Sequence, residues 1–95
     1  MNDSAVKYAL HSIRLTTAIG DTSNIATNYG NLCWLYMDLN QYDKAIDYGI
    51  QGVAAGEHYM DTTGLLISIN NLALGYLRTS KNEKAVELFT RQYKI

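Results

Sequence analysis

The stretch Tyr29-Gly-Asn-Leu-Cys-Trp-Leu-Tyr-Met-Asp-Leu-Asn-Gln-Tyr-Asp-Lys-Ala45-Ile46 decides how this 95-residue chain folds. Tyr29, Leu32, Cys33 and Tyr36 recur at i, i+3, i+4 and i+7, the rhythm of one apolar face of a helix. Asn40-Gln41 is a link short enough to send the next helix back antiparallel, with Asn40 a natural left-handed stop. Tyr42, Ala45, Ile46, Gly49 and Val53 then form a second helical stripe. The reading is helix, tight turn, helix, with a small residue, Cys33 and Ala45, near the middle of each partner.

The same pattern returns as Ile69-Asn-Asn-Leu-Ala-Leu-Gly-Tyr-Leu-Arg-Thr-Ser-Lys-Asn-Glu-Lys-Ala85-Val86, displaced by 40 residues (45 to 85). Without gaps, Asn31, Leu32, Cys33, Tyr36 and Lys44 align with Asn71, Leu72, Ala73, Tyr76 and Lys84. Ala5, Ala45 and Ala85 coincide, as do Val6, Ile46 and Val86. A fixed period of this length is the mark of a repeat architecture.

Outward from the opening stretch, five helices are expected. The first runs from about Ser4 to Ile19, with Asp3 or Ser4 as its cap and the apolar face Ala5, Tyr8, Ala9, Ser12 and Ile13. Gly20 stops it in the left-handed conformation. The second runs from about Thr22, capped by Asp21 or Thr22, to Leu39. The third spans about Tyr42 to Tyr59, with Asp43 in its first turn, where the helix dipole favours a carboxylate. Gly49, Gly52 and Gly56 weaken it by roughly 1 kcal/mol each relative to alanine. Either a neighbouring helix packs very close to that face, or the helix is simply weak. The fourth, about Thr62 to Ser80, carries Ile69, Leu72, Ala73 and Tyr76. The fifth, about Asn82 to Tyr93, carries Ala85, Val86, Phe89 and Tyr93. The organisation is one all-α unit over 1–95: a single helix at 4–20, a hairpin at 22–60 and a second hairpin at 62–95.

Composition narrows the function. Eight basic and nine acidic residues are scattered along the chain, for a net charge of −1. No basic stripe is available to neutralise phosphates, so nucleic-acid binding by this segment is not expected. No apolar run approaches the ~18–20 residues that cross a bilayer, and there is no apolar leader. The single Cys33 excludes an internal disulfide framework. Proline is absent, which permits long helices.

These residues resemble the tetratricopeptide repeat. Cys33, Ala73, Ala45 and Ala85 match that family's small crossing-point positions. Leu32, Leu72, Tyr36 and Tyr76 match its large first-helix residues. Tyr42 and Phe89 match large second-helix residues, each in one copy. The period is longer than the family's usual ~34, as in the repeats of kinesin light chain, spindle-orientation scaffolds and many bacterial sensor kinases and regulators. The usual proline at the repeat end is missing, Asn40 and Ser80 stand in place of the usual turn glycine, and Gly49 replaces a large residue. The resemblance implies a right-handed superhelical stack of antiparallel hairpins whose first helices line a concave groove for a peptide or helix of a partner protein. It also implies a home in a bacterial signalling or regulatory protein, in the cytoplasm unless the segment belongs to a membrane-anchored sensor. Uncapped repeat ends imply an exposed apolar face or self-association.

Carried onto this chain, the groove residues are Thr27, Gly30, Asn31, Trp34, Met37 and Asp38 from one repeat, and Ile67, Asn70, Asn71, Leu74, Leu77 and Arg78 from the next. Asn31 and Asn71 match an asparagine that bonds peptide backbone in longer-repeat relatives; an amide offers a donor and an acceptor together. Both could instead cap or bridge neighbouring helices. Trp34 is a candidate anchor or a packing residue between hairpins. Arg78 could pair with a partner carboxylate or only be solvated. Met37 and Leu77 could floor the groove or join the core.

Catalysis is not expected. His11 and His58 lie on different helices without ligand spacing, Cys33 falls on the buried stripe, and the glycines of the third helix lack the Lys-Ser/Thr of a phosphate loop. No metal or cofactor is expected. The alternatives to a binding module are a self-associating structural segment and, more remotely, an enzyme fragment.

Overall fold

The computed structural model describes the backbone of residues 2–93 and the side chains of residues 4–81, 83–88 and 90. Five helices follow in order among them: α1 (Asn2–Ala18), α2 (Ile25–Asp38), α3 (Tyr42–His58), α4 (Thr62–Arg78) and α5 (Asn82–Tyr93). The fold is all-α, a stack of helical hairpins.

The helices end alike. Gly20, Asn40, Met60 and Ser80 have φ of 77°, 59°, 55° and 63°. At each, the N–H donates back three residues and the next N–H donates back five. Examples are Asn40 to Met37 at 2.9 Å with Gln41 to Tyr36 at 2.9 Å, and Ser80 to Leu77 at 3.2 Å with Lys81 to Tyr76 at 2.7 Å. This Schellman arrangement satisfies carbonyls left without partners at a helix end. Its spacing of 20 residues (20 to 40, 60 to 80) halves the sequence period, so helix-plus-turn is the true structural unit. Met60 in a left-handed turn was not foreseen; a methionine there carries a steric cost that glycine lacks.

The helix starts differ from expectation. Helix α1 begins at Asn2, so Ser4 lies within its first turn rather than capping it. The side chains of Asp3, Phe89 and Tyr93 lie outside the described residues. Helix α2 begins at Ile25, not Thr22. Asp21 Oδ1 accepts from Ser23 N at 3.0 Å and Ser23 Oγ at 2.7 Å, which closes a local turn instead of capping the helix. The Ser23 hydroxyl, then its N–H, hold the Asp21 carboxyl below its ordinary pKa. In the next repeat Asp61 does cap, accepting from Gly64 N at 3.0 Å. A Cβ on Gly64 would stand 2.5 Å from Asp61 Oδ2 and 2.6 Å from Ala26 Cβ. The aligned residue in the first copy is Asn24, which precedes Ile25 and makes no side-chain cap hydrogen bond.

Packing follows the glycines. Cβ atoms built on Gly49 and Gly56 would meet Leu72 Cβ at 2.9 Å and Leu65 Cα at 2.7 Å, and one on Gly52 would collide with Ser68 Oγ. The contact therefore runs down α3 and up α4, antiparallel, with backbones close enough to exclude any side chain. The Gly52 position also reaches Gly30 N at 3.2 Å, so α2, α3 and α4 meet there. Ser68, fully buried, donates from Oγ to Ala26 O at 3.1 Å at this junction. Two apolar clusters flank it: one with Val6, Ile13, Leu32, Cys33, Tyr36, Met37 and Ala45, the other with Ile46, Val53, Ile69, Leu72, Ala73, Tyr76, Ala85 and Leu88.

Two residues read as apolar-face positions are exposed: Tyr8 at 76% and Val86 at 62%. Their counterparts Tyr48 and Ile46 are covered by packing against α2 and α4. No described helix covers α1 and α5 on the corresponding sides.

Candidate interaction face

Helices α2 and α4 lie side by side and parallel: Ala26 O, Gly30 O and Met37 face Ser68, Asn71 and Gly75 in register. Among the described residues, α1 and α3 do not come within 8 Å of each other between Cα atoms, nor do α3 and α5. The backbone fills a slab of 37 × 32 × 14 Å, about two helix layers thick given interaxial distances of ~8–10 Å. One layer (α2, α4) is drawn together and the other (α1, α3, α5) is splayed, which curves the slab toward α2 and α4.

On α2, Asn31, Trp34 and Asp38 are exposed along one helical stripe, with Trp34 49% accessible. On α4, Asn70, Leu77 and Arg78 are exposed; Thr27 on α2 and Ile67 on α4 are partly covered. The face thus presents an indole, an aliphatic chain, a carboxylate, a guanidinium and two amides, a mixture suited to a peptide.

Several expected groove residues lie elsewhere. Gly30 is buried, with Ile67 Cγ2 2.9 Å from where its Cβ would stand. Met37 is 1% exposed and packs beneath Gly75. Leu74, aligned with Trp34, is half-buried against the cluster of Leu32 and Cys33. Asn71 is half-buried and donates from Nδ2 to Gly30 O at 2.9 Å, bridging successive first helices. Its amide is engaged in holding α4 on α2, while aligned Asn31 is exposed on a helix with no described first helix before it. Asn71→Ala is therefore expected to lower stability by about 1 kcal/mol, and Asn31→Ala to stay within about 0.5 kcal/mol. Urea unfolding of both variants checks this, and equal losses would contradict the bridge.

The repeat positions Leu32, Cys33, Tyr36, Ala45, Leu72, Ala73, Tyr76 and Ala85 are all buried, none more than 8% exposed. Burial pushes the Cys33 thiol up to about 12, so it stays protonated at neutral pH and is a poor nucleophile. Burial, then the Glu87 carboxylate, raise Tyr76. Among the described residues no cluster of His, Cys, Asp or Glu could hold a metal ion, and no helix is long and apolar enough to cross a membrane.

One feature escaped sequence reasoning: a cleft of about 360 Å³ between α3 and α5, on the splayed layer. The signal for it was one mismatch among several between the copies, Tyr48 against Leu88. Compared with protein-family models and with curated proteins, the chain matches none.

Proposed function

We propose that the chain is a tetratricopeptide-like module that binds a peptide or helix of a partner protein on its α2/α4 face, within a larger bacterial signalling or regulatory protein. The observation that carries this reading is Trp34. The largest side chain of the molecule stands half exposed at the centre of the α2 stripe, where its counterpart Leu74 is packed away. Leaving an indole in water forgoes its burial, and partner contact recovers that burial at a hot spot. Asp38 and Arg78, one turn further along each helix, supply opposite charges for register.

Trp34 is the only tryptophan, so its fluorescence reports occupancy directly. In a peptide-array screen followed by titration, Trp34→Ala is expected to weaken binding at least tenfold, about 1.4 kcal/mol, with an unchanged melting temperature. Binding that survives both Trp34→Ala and Arg78→Ala would remove this face from consideration. A second reading, self-association without a separate ligand, is favoured by the exposed apolar surface of α1 and the turn after it: Tyr8, Leu15 and Ile19 at 76%, 54% and 77%. Sedimentation at several concentrations separates the two, because only self-association makes the mass depend on concentration.

A further inference from the structure

The cleft between α3 and α5 has Val53, Leu72, Tyr76 and Leu88 as its floor. Ile50, Glu57, Lys84 and Glu87 stand on its rim. At about 360 Å³ the cleft has room for one or two side chains.

The first repeat shows what belongs there. Subtracting 40 from the floor residues leads to Ile13, Leu32, Tyr36 and Tyr48, with Leu10 at the place of Ile50. In that copy Tyr48 packs against the cluster of Ile13, Leu32 and Tyr36, with Leu10 alongside. Its ring stacks on Tyr36 at 5.4 Å and 2°, and on Tyr29 at 6.0 Å and 21°. The cation beside the ring is shared: Lys44 Nζ lies 5.6 Å from the centre of the Tyr36 ring, and Lys84 Nζ lies 5.6 Å from that of Tyr76. The stacked ring differs, and so does its second partner, Tyr29, which is Ile69 in this copy. Position 88 is leucine, no described ring stacks on Tyr76, and the cleft remains. On the rim the Glu87 carboxylate stands exposed on α5, beside the floor.

We propose that this cleft is a second binding site, distinct from the α2/α4 face, which takes one aromatic side chain of a partner protein. The ring stacks on Tyr76 as Tyr48 stacks on Tyr36, and a basic residue beside it meets the Glu87 carboxylate. Offset stacking of aromatic pairs adds to the gain from burial, and the rim charge selects among aromatic segments by what flanks them.

The test is methyl NMR of the full chain titrated with acetyl-Arg-Trp-Arg-amide, with the Arg-Leu-Arg and Glu-Trp-Glu analogues as comparisons. Ring-current shifts are expected at Val53, Leu72 and Leu88, with Kd on the order of 1 mM for so small a probe. Both analogues should bind at least fivefold more weakly. Leu88→Tyr should fill the cleft from within, raise the melting temperature and abolish the shifts. Glu87→Lys, at an exposed position that leaves the core untouched, should reverse the preference between the Arg- and Glu-flanked probes. The proposal is overturned if Trp and Leu probes bind alike, if Glu87→Lys changes nothing, or if the shifts are confined to Leu74 and Leu77. Trp34→Ala should leave the cleft shifts intact, so failure here and failure of the α2/α4 reading are told apart.

Discussion

Gly56→Ala lowers stability, by about 2 kcal/mol, although alanine is the better helix former. Two effects compete. Alanine in a helix interior gains about 1 kcal/mol over glycine, and overpacking a well-filled contact costs about 1–3 kcal/mol, occasionally more. The atoms opposite decide which wins. At Gly56 the new Cβ meets Leu65 Cα and Cβ at 2.7 Å and Leu65 N at 2.9 Å. A backbone cannot rotate aside as a side-chain end can, so α3 and α4 must separate, and the neighbouring Gly52–Ser68 contact loosens with them. The loss lies at the upper end of the range and outweighs the propensity gain. Two kcal/mol corresponds to a fall in melting temperature of about 10 °C for a chain of this size, measurable by circular dichroism. Gly49→Ala should cost less, because its neighbours, Leu72 Cβ at 2.9 Å, Leu72 Cδ1 at 3.0 Å and Cys33 Sγ at 3.1 Å, are side-chain atoms and stand farther off than the Leu65 backbone does at Gly56. A Gly56→Ala protein more stable than the wild type would mean that α3 is merely a weak helix and that the close approach is wrong.

Raising the pH from 9 toward 12 destabilises the wild-type protein more steeply than it does Cys33→Ala, by about 1.4 kcal/mol per pH unit. In the folded chain burial holds the Cys33 thiol up to about 12 from an ordinary 9.0. Between these values the folded state keeps a proton that the unfolded state has released. The unfolded state therefore binds fewer protons, and stability falls as pH rises. Below pH 9 both states hold the proton and the contribution is fully present. Tyr76, raised by burial, then by the Glu87 carboxylate and by Cys33, acts in the same direction; all but the Cys33 part of that effect is common to both proteins, so the difference still follows the thiol. Urea midpoints at pH 8, 9, 10 and 10.5 for the two proteins provide the test. Parallel curves would show that Cys33 is not shut away between α2 and Gly49.

Much of the fold was legible because repetition acts as an internal control. The match of Leu32, Cys33 and Tyr36 with Leu72, Ala73 and Tyr76 located two hairpins, and the glycine row on the third helix indicated a close neighbour. The turns at Gly20 and Asn40 follow from residues that tolerate the left-handed region. Met60 does not advertise such a turn; the surrounding helices impose it at the same interval. The face residues were partly legible. Asn31, Trp34 and Asp38 were expected on that face from the family resemblance, and they are exposed along one helical stripe. Gly30 was assigned to that face, Met37 was open between it and the core, and Asn71 between it and a bridge; all three belong to the contact between α2 and α4.

By itself, then, the sequence determined the helices, their period and the antiparallel reversal, because these depend on interactions a few residues apart. It also determined which residues share a side of each helix. The tertiary structure decided what each side meets. That choice depends on how far α4 rotates as it settles over α2, which is set by contacts between residues about 40 positions apart, such as Ser68 with Ala26 and Asn71 with Gly30. The same reason separates the two repeats. A tyrosine at 48 and a leucine at 88 both suit a helix, and only packing across the splayed layer leaves one site filled and the other open.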